Sequence, residues 1–259
     1  MTRRLILVAA IVACASAMAQ TRAIAPADLR SGITFAGDDV RAMQEDEFGN
    51  PGMLWVEKGA RLWSEAAGSD GKSCASCHGD AKTAMRGVAA RYPAYDRVQT
   101  RVVDLEAKIA DCRTRHQRAS PLARESDDLL ALATYVAHQS RDLPIAVSIE
   151  GAAKASFERG RAFYYQRHGQ MNLSCAQCHE QHWGKRLLRE TMSQGHGNAF
   201  PAYRLEWQTL GSLQRRLRAC LFGIRAEMPA EGATELTDLE LFLAWRAQGL
   251  SIETPGVRR

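Results

Sequence analysis

Two copies of the pattern C-x-x-C-H restrict what this chain can fold into more than any other feature of its sequence. One copy, CASCH, spans Cys74–His78, and the other, CAQCH, spans Cys175–His179. The pattern is the attachment signature of a c-type haem, in which two thiols form thioether bonds and the adjacent imidazole coordinates the iron. A structural disulfide or a redox C-x-x-C pair is the alternative for either copy, but the adjacent histidine and the recurrence favour haem. The sequence thus predicts two covalently bound haem c groups, attached through Cys74 and Cys77 with His78 as iron ligand, and through Cys175 and Cys178 with His179 as iron ligand.

The two halves of the chain also resemble each other outside these motifs. EKG at 57–59 and ERG at 158–160 are 101 residues apart, YPAY at 92–95 and FPAY at 200–203 are 108 apart, and DLLALATY from Asp128 and DLELFLAW from Asp238 are 110 apart. Each unit is predicted to contain an N-terminal helix, the haem motif, a loop with glycine and proline, a middle helix and a C-terminal helix.

This organisation predicts an all-α fold with two tandem cytochrome c-like domains that arose by internal duplication. A haem completes the core of each domain, which explains how units of about 100 residues are stable. The expected boundaries are an N-terminal extension at 20–50, a first domain at 51–147 and a second domain at 148–259. A linker is expected at 145–155, after Pro144.

Residues 1–19 have the pattern of a secretory signal peptide. A short basic start at 2–4 is followed by an apolar run at 5–17 and a small-x-small cleavage site at 17–19. We therefore expect export to the periplasm and no permanent membrane span. Without this segment the chain carries 32 Lys and Arg, because Arg3 and Arg4 are lost from 34, against 29 Asp and Glu. This mildly basic balance argues against a dedicated nucleic-acid binder.

Cys112 and Cys220 lie outside the motifs but share one register. Each follows the proline of its Pro-Ala-Tyr segment by 19 residues, so each is expected at the same place beside its own haem. We predict that each thiolate is the second iron ligand of its haem. A disulfide between the two is the alternative. Methionine is the commoner ligand in electron-transfer cytochromes, but Met228 has no counterpart in the first half.

The surroundings of the two cysteines differ in charge. Cys112 follows Glu106-Ala107-Lys108-Ile109-Ala110-Asp111, which is mixed, whereas the charged residues of QRRLRAC before Cys220 are all arginines. On a helix, Arg216 shares a face with Cys220 and Arg218 does not. A guanidinium at Arg216 would stabilise a thiolate and hold an anionic substrate through paired hydrogen bonds.

At these residues the chain resembles the SoxA family, the dihaem subunits of the SoxAX cytochrome complexes of bacterial sulfur oxidation. The resemblance is carried by both C-x-x-C-H motifs, GHGNAFPAYR from Gly195, QRRLRAC from Gln214 and the AWRAQGL…PGVR tail from Ala244. It covers nearly the whole chain after the signal peptide. Some family members have lost the first haem, but all of its predicted ligands are present here.

The resemblance implies an L-cysteine S-thiosulfotransferase that couples thiosulfate oxidatively to a cysteine of a SoxYZ-type carrier protein, with a small SoxX-like cytochrome as partner subunit. It also implies that the haem of the second domain is the active-site haem. Cys220, which is often a persulfide in the family, is then the reactive centre, and Arg216 assists it. Two alternatives remain open: a dihaem electron-transfer cytochrome without catalytic activity, and a peroxidase-like dihaem enzyme.

Overall fold

The computed structural model describes residues 23–259, so the predicted signal peptide lies outside the described residues. No helix in the described part of the chain is long and apolar enough to cross a membrane. The helices of this part are α1 (Asp38–Glu45), α2 (Met53–Ser64), α3 (Cys74–His78), α4 (Ala81–Ala84), α5 (Leu105–His116), α6 (Asp127–His138), α7 (Lys154–Tyr165), α8 (Cys175–His179), α9 (Leu213–Gly223) and α10 (Thr234–Arg246).

Short strands accompany these helices, so the chain is helix-rich and the predicted all-α class was too narrow. The strands are β1 (Ala94–Asp96), β2 (Arg101–Val103), β3 (Arg186–Leu187), β4 (Glu190–Thr191), β5 (Ala202–Arg204), β6 (Thr209–Gly211) and β7 (Gly256–Arg258). After each Pro-Ala-Tyr proline the chain folds back as an antiparallel hairpin, β1–β2 or β5–β6, and β7 adds to β5 in parallel. The sequence analysis missed them because two or three residues are too few to show an alternating pattern.

In each half the N-terminal helix packs against the C-terminal helix at a glycine. A Cβ atom on Gly59 of α2 would lie 2.2 Å from the Ala131 carbonyl oxygen of α6, and one on Gly160 of α7 would lie 2.0 Å from the Asp238 carbonyl oxygen of α10. Only glycine permits backbones this close. The same helices are joined by ion pairs, Lys58 to Asp128 at 2.6 Å and Arg159 to Asp238 at 2.6 Å. The predicted helices around Asp128, Asp238 and Cys220 are confirmed as α6, α10 and α9.

The segment at 23–50 crosses over to pack against the second half of the chain. The Gln44 side-chain oxygen accepts a hydrogen bond from the Val257 amide of β7 at 3.0 Å, and Asn50 donates to the Pro255 carbonyl at 2.9 Å. Nearer the start, the Arg30 amide donates to the Gln194 side chain at 2.8 Å. The extension therefore braces the second half before the chain enters the first.

The predicted linker at 145–155 is built into the core. Ile145 and Val147 are buried, and the Ile145 amide donates to the Leu250 carbonyl at 3.0 Å. The main apolar cluster joins Val102 of the first half to Phe157 and other side chains of the second. The two halves therefore share packing, and the connection between them is not a free tether.

Candidate active site

Both C-x-x-C-H motifs form a single helical turn that begins at a serine. Ser73 accepts a hydrogen bond from the Ser76 amide at 3.0 Å, and Ser174 accepts one from the Gln177 amide at 3.3 Å. The third helical residue returns a bond to the serine amide in both cases, which completes a capping box. These caps fix α3 and α8 so that the cysteines and the histidine hold a set spacing.

A cavity of about 1320 Å³ adjoins α3, large enough for a bulky cofactor. Its wall contains Cys74, Cys77 and His78 and, from α5, Cys112. Met85 and His116 also reach this wall, so Cys112 is not the sole candidate ligand there.

The chemistry of the first cavity fits a haem. Arg91 and Arg113 lie on the wall, and the buried Nε of Arg113 has no hydrogen-bond partner in the protein. A guanidinium of this kind suits a carboxylate such as a haem propionate. The ring of Trp63 lies 5.8 Å from that of His78 and closes the cavity beside the iron ligand.

Cys112 lies near Cys77, in a neighbourhood where charges cancel. Burial raises the pKa of the Cys112 thiol, and the charge of Lys108 opposes that rise. Lys108 is itself neutralised, because its ammonium lies 2.7 Å from a carboxylate oxygen of Asp96. The folded structure therefore also surrounds Cys112 with charges of both signs, as the sequence predicts.

In the second half, His179 is oriented for metal binding. Its Nδ1 lies 2.8 Å from the Ser193 carbonyl oxygen, which only accepts, so Nδ1 carries the proton and Nε2 is left as the donor to a metal. Burial is the main cause that lowers the pKa of His179 to about 4. Gly195 makes this approach possible, since a Cβ there would lie 2.7 Å from the imidazole and its φ is +73°.

The loop that holds His179 is fixed by a buried glutamine. Gln194 is fully buried, donates to the Asp28 carbonyl at 2.9 Å and accepts from the Arg30 amide at 2.8 Å. Its carbonyl accepts from Arg246 at 3.1 Å. The N-terminal extension thus contributes to the site through this loop, a contact between distant segments that no local sequence pattern predicts.

Cys220 lies beside the attachment cysteines of the second motif. Burial and the neighbouring Cys220 raise the pKa of Cys175 to about 12, and the same two causes raise the pKa of Cys178. All six cysteines among residues 23–259 are free thiols, so Cys112 and Cys220 do not form the alternative disulfide. Cys175, Cys178, His179 and Cys220 together offer the same donor set as the first cavity.

The three arginines of α9 have different partners. Arg218 forms an ion pair with Glu231, and the Arg215 guanidinium lies 4.3 Å from the ring centroid of Trp207. Arg216 pairs with no carboxylate among residues 23–259, and its charge acts on His179. Arg216 is therefore the member of the α9 cluster with neither a carboxylate nor an aromatic partner among residues 23–259.

Arg204, at the end of β5, is a residue that the sequence analysis did not single out. It is 8% exposed and its charge interacts with those of Arg216 and Cys220. Its guanidinium lies 5.0 Å from the Trp207 ring centroid. No local pattern marks it, because its proximity to Cys220 depends on the hairpin and α9 folding together.

Two capped C-x-x-C-H helices, a histidine whose Nε2 is free to bind a metal and a further cysteine near each motif are the features of a c-type cytochrome. Residues 58–145 match the family model described as SoxA/TsdA, cytochrome c domain. The chain is 42% identical over 230 residues to the L-cysteine S-thiosulfotransferase subunit SoxA of Pseudaminobacter salicylatoxidans, covering 88% of this chain and 80% of that one. It is 40% identical over 245 residues to that of Rhodovulum sulfidophilum, covering 92% and 85%.

The crystal structure of SoxXA from P. pantotrophus superposes with a TM-score of 0.85 at 35% identity, over 88% of this chain and 86% of that one. The chain belongs to the SoxA family of L-cysteine S-thiosulfotransferase subunits. The family predicted from the sequence is confirmed, and covalently bound haem c follows from the cytochrome c domain.

Proposed function

We propose that this chain couples thiosulfate to a cysteine of a SoxYZ-type carrier protein in the periplasm, with Cys220 as the reactive sulfur. The observation that supports it best is the position of Cys220, which lies near Cys178 of the second C-x-x-C-H motif and four residues after Arg216, an arginine with no carboxylate partner among residues 23–259. Overall, a carrier thiol and thiosulfate form a cysteine S-thiosulfonate, and one proton and two electrons are released.

The chemistry divides between Arg216 and Cys220. Arg216 holds the thiosulfate dianion with its outer sulfur toward Cys220. The Cys220 thiolate and that sulfur form an S–S bond with loss of two electrons. The carrier thiolate then attacks the outer thiosulfate sulfur, the one bonded to Cys220. The S–S bond to Cys220 breaks, Cys220 leaves as thiolate, and the carrier keeps the S-thiosulfonate group. Arg216 steadies the negative charge at sulfur during both steps.

Two haem c groups fit the donor sets of this chain. Cys74, Cys77, His78 and Cys112 would hold the first, and Cys175, Cys178, His179 and Cys220 the second. Haem held there would supply the electron acceptor for this oxidation, and thiolate ligation would lower its reduction potential relative to methionine ligation. The neutral Lys108–Asp96 pair near Cys112 favours an electron-transfer role for the first haem.

The proposal includes the tandem domains at 51–147 and 148–259. The glycine crossings, the helix-joining ion pairs, the capped motif helices and the hairpins before α5 and α9 recur in the same order in both halves. Internal duplication explains this recurrence. The likeness to SoxXA supports a small SoxX-like cytochrome as partner subunit, and residues 1–19 support export.

The test is carrier thiosulfonation by the haem-loaded complex, followed by mass spectrometry of the carrier. Cys220→Ala should abolish conjugation with both haems attached. Arg216→Lys keeps the charge but loses the planar fork, and should slow turnover on the order of 10²–10³-fold. Arg218→Lys is the matched control, expected to be mild because Arg218 already pairs with Glu231. Near-normal turnover of Cys220→Ala would overturn the cysteine mechanism and favour a plain electron carrier.

A further inference from the structure

Two positions near each extra cysteine are equivalent in the two halves but differ in charge. Four residues before Cys112 stands Lys108, and four before Cys220 stands Arg216. The first strand of the preceding hairpin ends at Asp96 in one half and at Arg204 in the other, each 16 residues before its cysteine. A pair of matched positions therefore accompanies each cysteine.

In the first half this pair is an ion pair. The Lys108 ammonium lies 2.7 Å from an Asp96 carboxylate oxygen, and the Asp96 side chain is almost fully buried. Lys108 keeps the pKa of Asp96 low, at about 2, so the carboxylate is charged at neutral pH. The net charge of the Lys108–Asp96 pair is therefore zero, and the pair does not attract an anion.

In the second half both positions are cations. Arg204 bonds Glu206 at 3.0 Å through one terminal nitrogen, but that carboxylate is 60% exposed, and the buried Nε of Arg204 has no partner. Arg216 pairs with no carboxylate within residues 23–259. Arg204 is buried and Arg216 is partly buried, and neighbouring cations removed from water in this way are costly unless a counter-charge joins them. Positive charge next to Cys220 is thus only partly compensated by the described residues.

We propose that Arg204 and Arg216 form a two-arginine clamp that binds a divalent sulfur oxyanion against the Cys220 sulfur. Resting on the proposed function, this names Arg204 as a second substrate-binding residue and makes thiosulfate the dianion. Two guanidinium groups match two negative charges and supply directed donors to sulfonate oxygens. Trp207 supports the clamp, since its ring packs against Arg204 at 5.0 Å and fixes the direction of that guanidinium.

A haem propionate is the competing partner for Arg204. The first half argues against it, because Asp96 at the equivalent position would repel a carboxylate there. The experiment nevertheless separates the two, since loss of a propionate partner changes the reduction potential of one haem and loss of a substrate contact does not.

The first measurement is calorimetric titration of thiosulfate into the complex with its haems chemically reduced and without carrier protein, so that neither the oxidative first step nor turnover occurs. Arg204→Gln should raise the thiosulfate Kd about 10- to 100-fold, the loss of one charge-assisted contact. Arg204→Asp, which installs the charge of the first half, should raise it further by neutralising Arg216. Arg218→Gln is the control and should change the Kd less than about threefold. Methanethiosulfonate, a monoanion, tests the charge: wild type should prefer the dianion, and Arg204→Gln should lose most of that preference.

The outcomes are distinct. A wild-type Kd in Arg204→Gln overturns the clamp, as does a shifted potential of one haem with unchanged thiosulfate affinity, which assigns Arg204 to a propionate. Carrier thiosulfonation by the same preparations is scored separately. Wild-type conjugation with unaltered binding by Arg204→Gln refutes the clamp alone, whereas absent wild-type conjugation refutes the proposed function. If Arg204→Gln loads haem poorly, Arg204→Lys takes its place and should still weaken binding, because it loses the fork.

Discussion

A buried group of carboxylates between the two halves should make the stability of the protein depend on pH. Arg124 bonds Asp104 at 2.7 Å and Glu106 at 3.1 Å, while Glu240 receives only the Gln214 amide at 3.2 Å. Arg124 therefore pairs with two of the three carboxylates, and Glu240 has no ion-pair partner among residues 23–259. Burial raises the pKa of Glu106 to about 8, and burial together with Asp104 raises the pKa of Glu240 well above its ordinary value.

The raised pKa values of Glu106 and Glu240 determine how the free energy of unfolding changes with pH. The folded protein holds a proton on the Glu106–Glu240 pair that the unfolded chain releases above about pH 4.5. This stabilisation is complete below the unfolded pKa and is lost as pH rises through the folded pKa. A rise from 4.5 to about 8 corresponds to roughly 5 kcal/mol at ~1.4 kcal/mol per pKa unit. Because the carboxyls titrate together, this total belongs to the pair.

Glu240→Gln replaces the proton-holding carboxyl with a neutral amide of the same shape. The variant should match wild type within about 1 kcal/mol near pH 5, one hydrogen bond being rearranged. Near pH 9 it should be more stable than wild type by about 2–5 kcal/mol, since one buried like charge is gone. Urea unfolding of the haem-loaded protein at pH 5, 7 and 9 measures the difference, and the exposed Glu235→Gln on the same helix is the control. An equal difference between Glu240→Gln and wild type at all three pH values would refute the reasoning.

Two further predictions concern the repeated scaffold. Gly160→Ala should destabilise the protein by about 1–3 kcal/mol in urea unfolding, because its Cβ would overlap the Asp238 carbonyl, whereas Gly223→Ala has open space and should be neutral or stabilising; equal effects would contradict the close crossing. Cys112→Met should change the spectrum of one haem and leave appreciable thiosulfate conjugation, and complete loss of activity in a variant with both haems attached would contradict the division of roles between the haems.

The local features of the site were predictable from the sequence. The C-x-x-C-H motifs, the common register of Cys112 and Cys220 and the helix around Arg216 depend on spacing within short segments. The distinction between Arg216 and Arg218 also followed from helical periodicity alone, and their different partners agree with it.

Features that depend on distant segments were not predictable. The crossing of residues 23–50 to the second half depends on hydrogen bonds to Gln194 and the C-terminal strand. Contacts between such distant segments leave no local pattern in the sequence. The linker at 145–155 looked like a tether because it follows a proline, yet its apolar side chains pack between the halves. Arg204 could not be assigned to the site from the sequence, because its equivalence to Asp96 is seen only in the matched hairpins of the two halves.

The comparison of the two cysteine neighbourhoods bears on how one scaffold supports two roles. Electron transfer needs a haem whose surroundings change little when an electron arrives, and the paired Lys108 and Asp96 provide a neutral setting beside Cys112. Sulfur transfer needs a thiolate that an anionic substrate approaches in spite of its own charge. Beside Cys220, Arg204 has a single exposed carboxylate partner and Arg216 has none among residues 23–259, so positive charge is left to attract the anion. Asp96 and Arg204 stand at matched positions, so the two neighbourhoods differ in charge while the hairpin, the helix and the cysteine recur. Under the proposed clamp, this difference in charge is what distinguishes the substrate-binding centre from the electron-transfer centre.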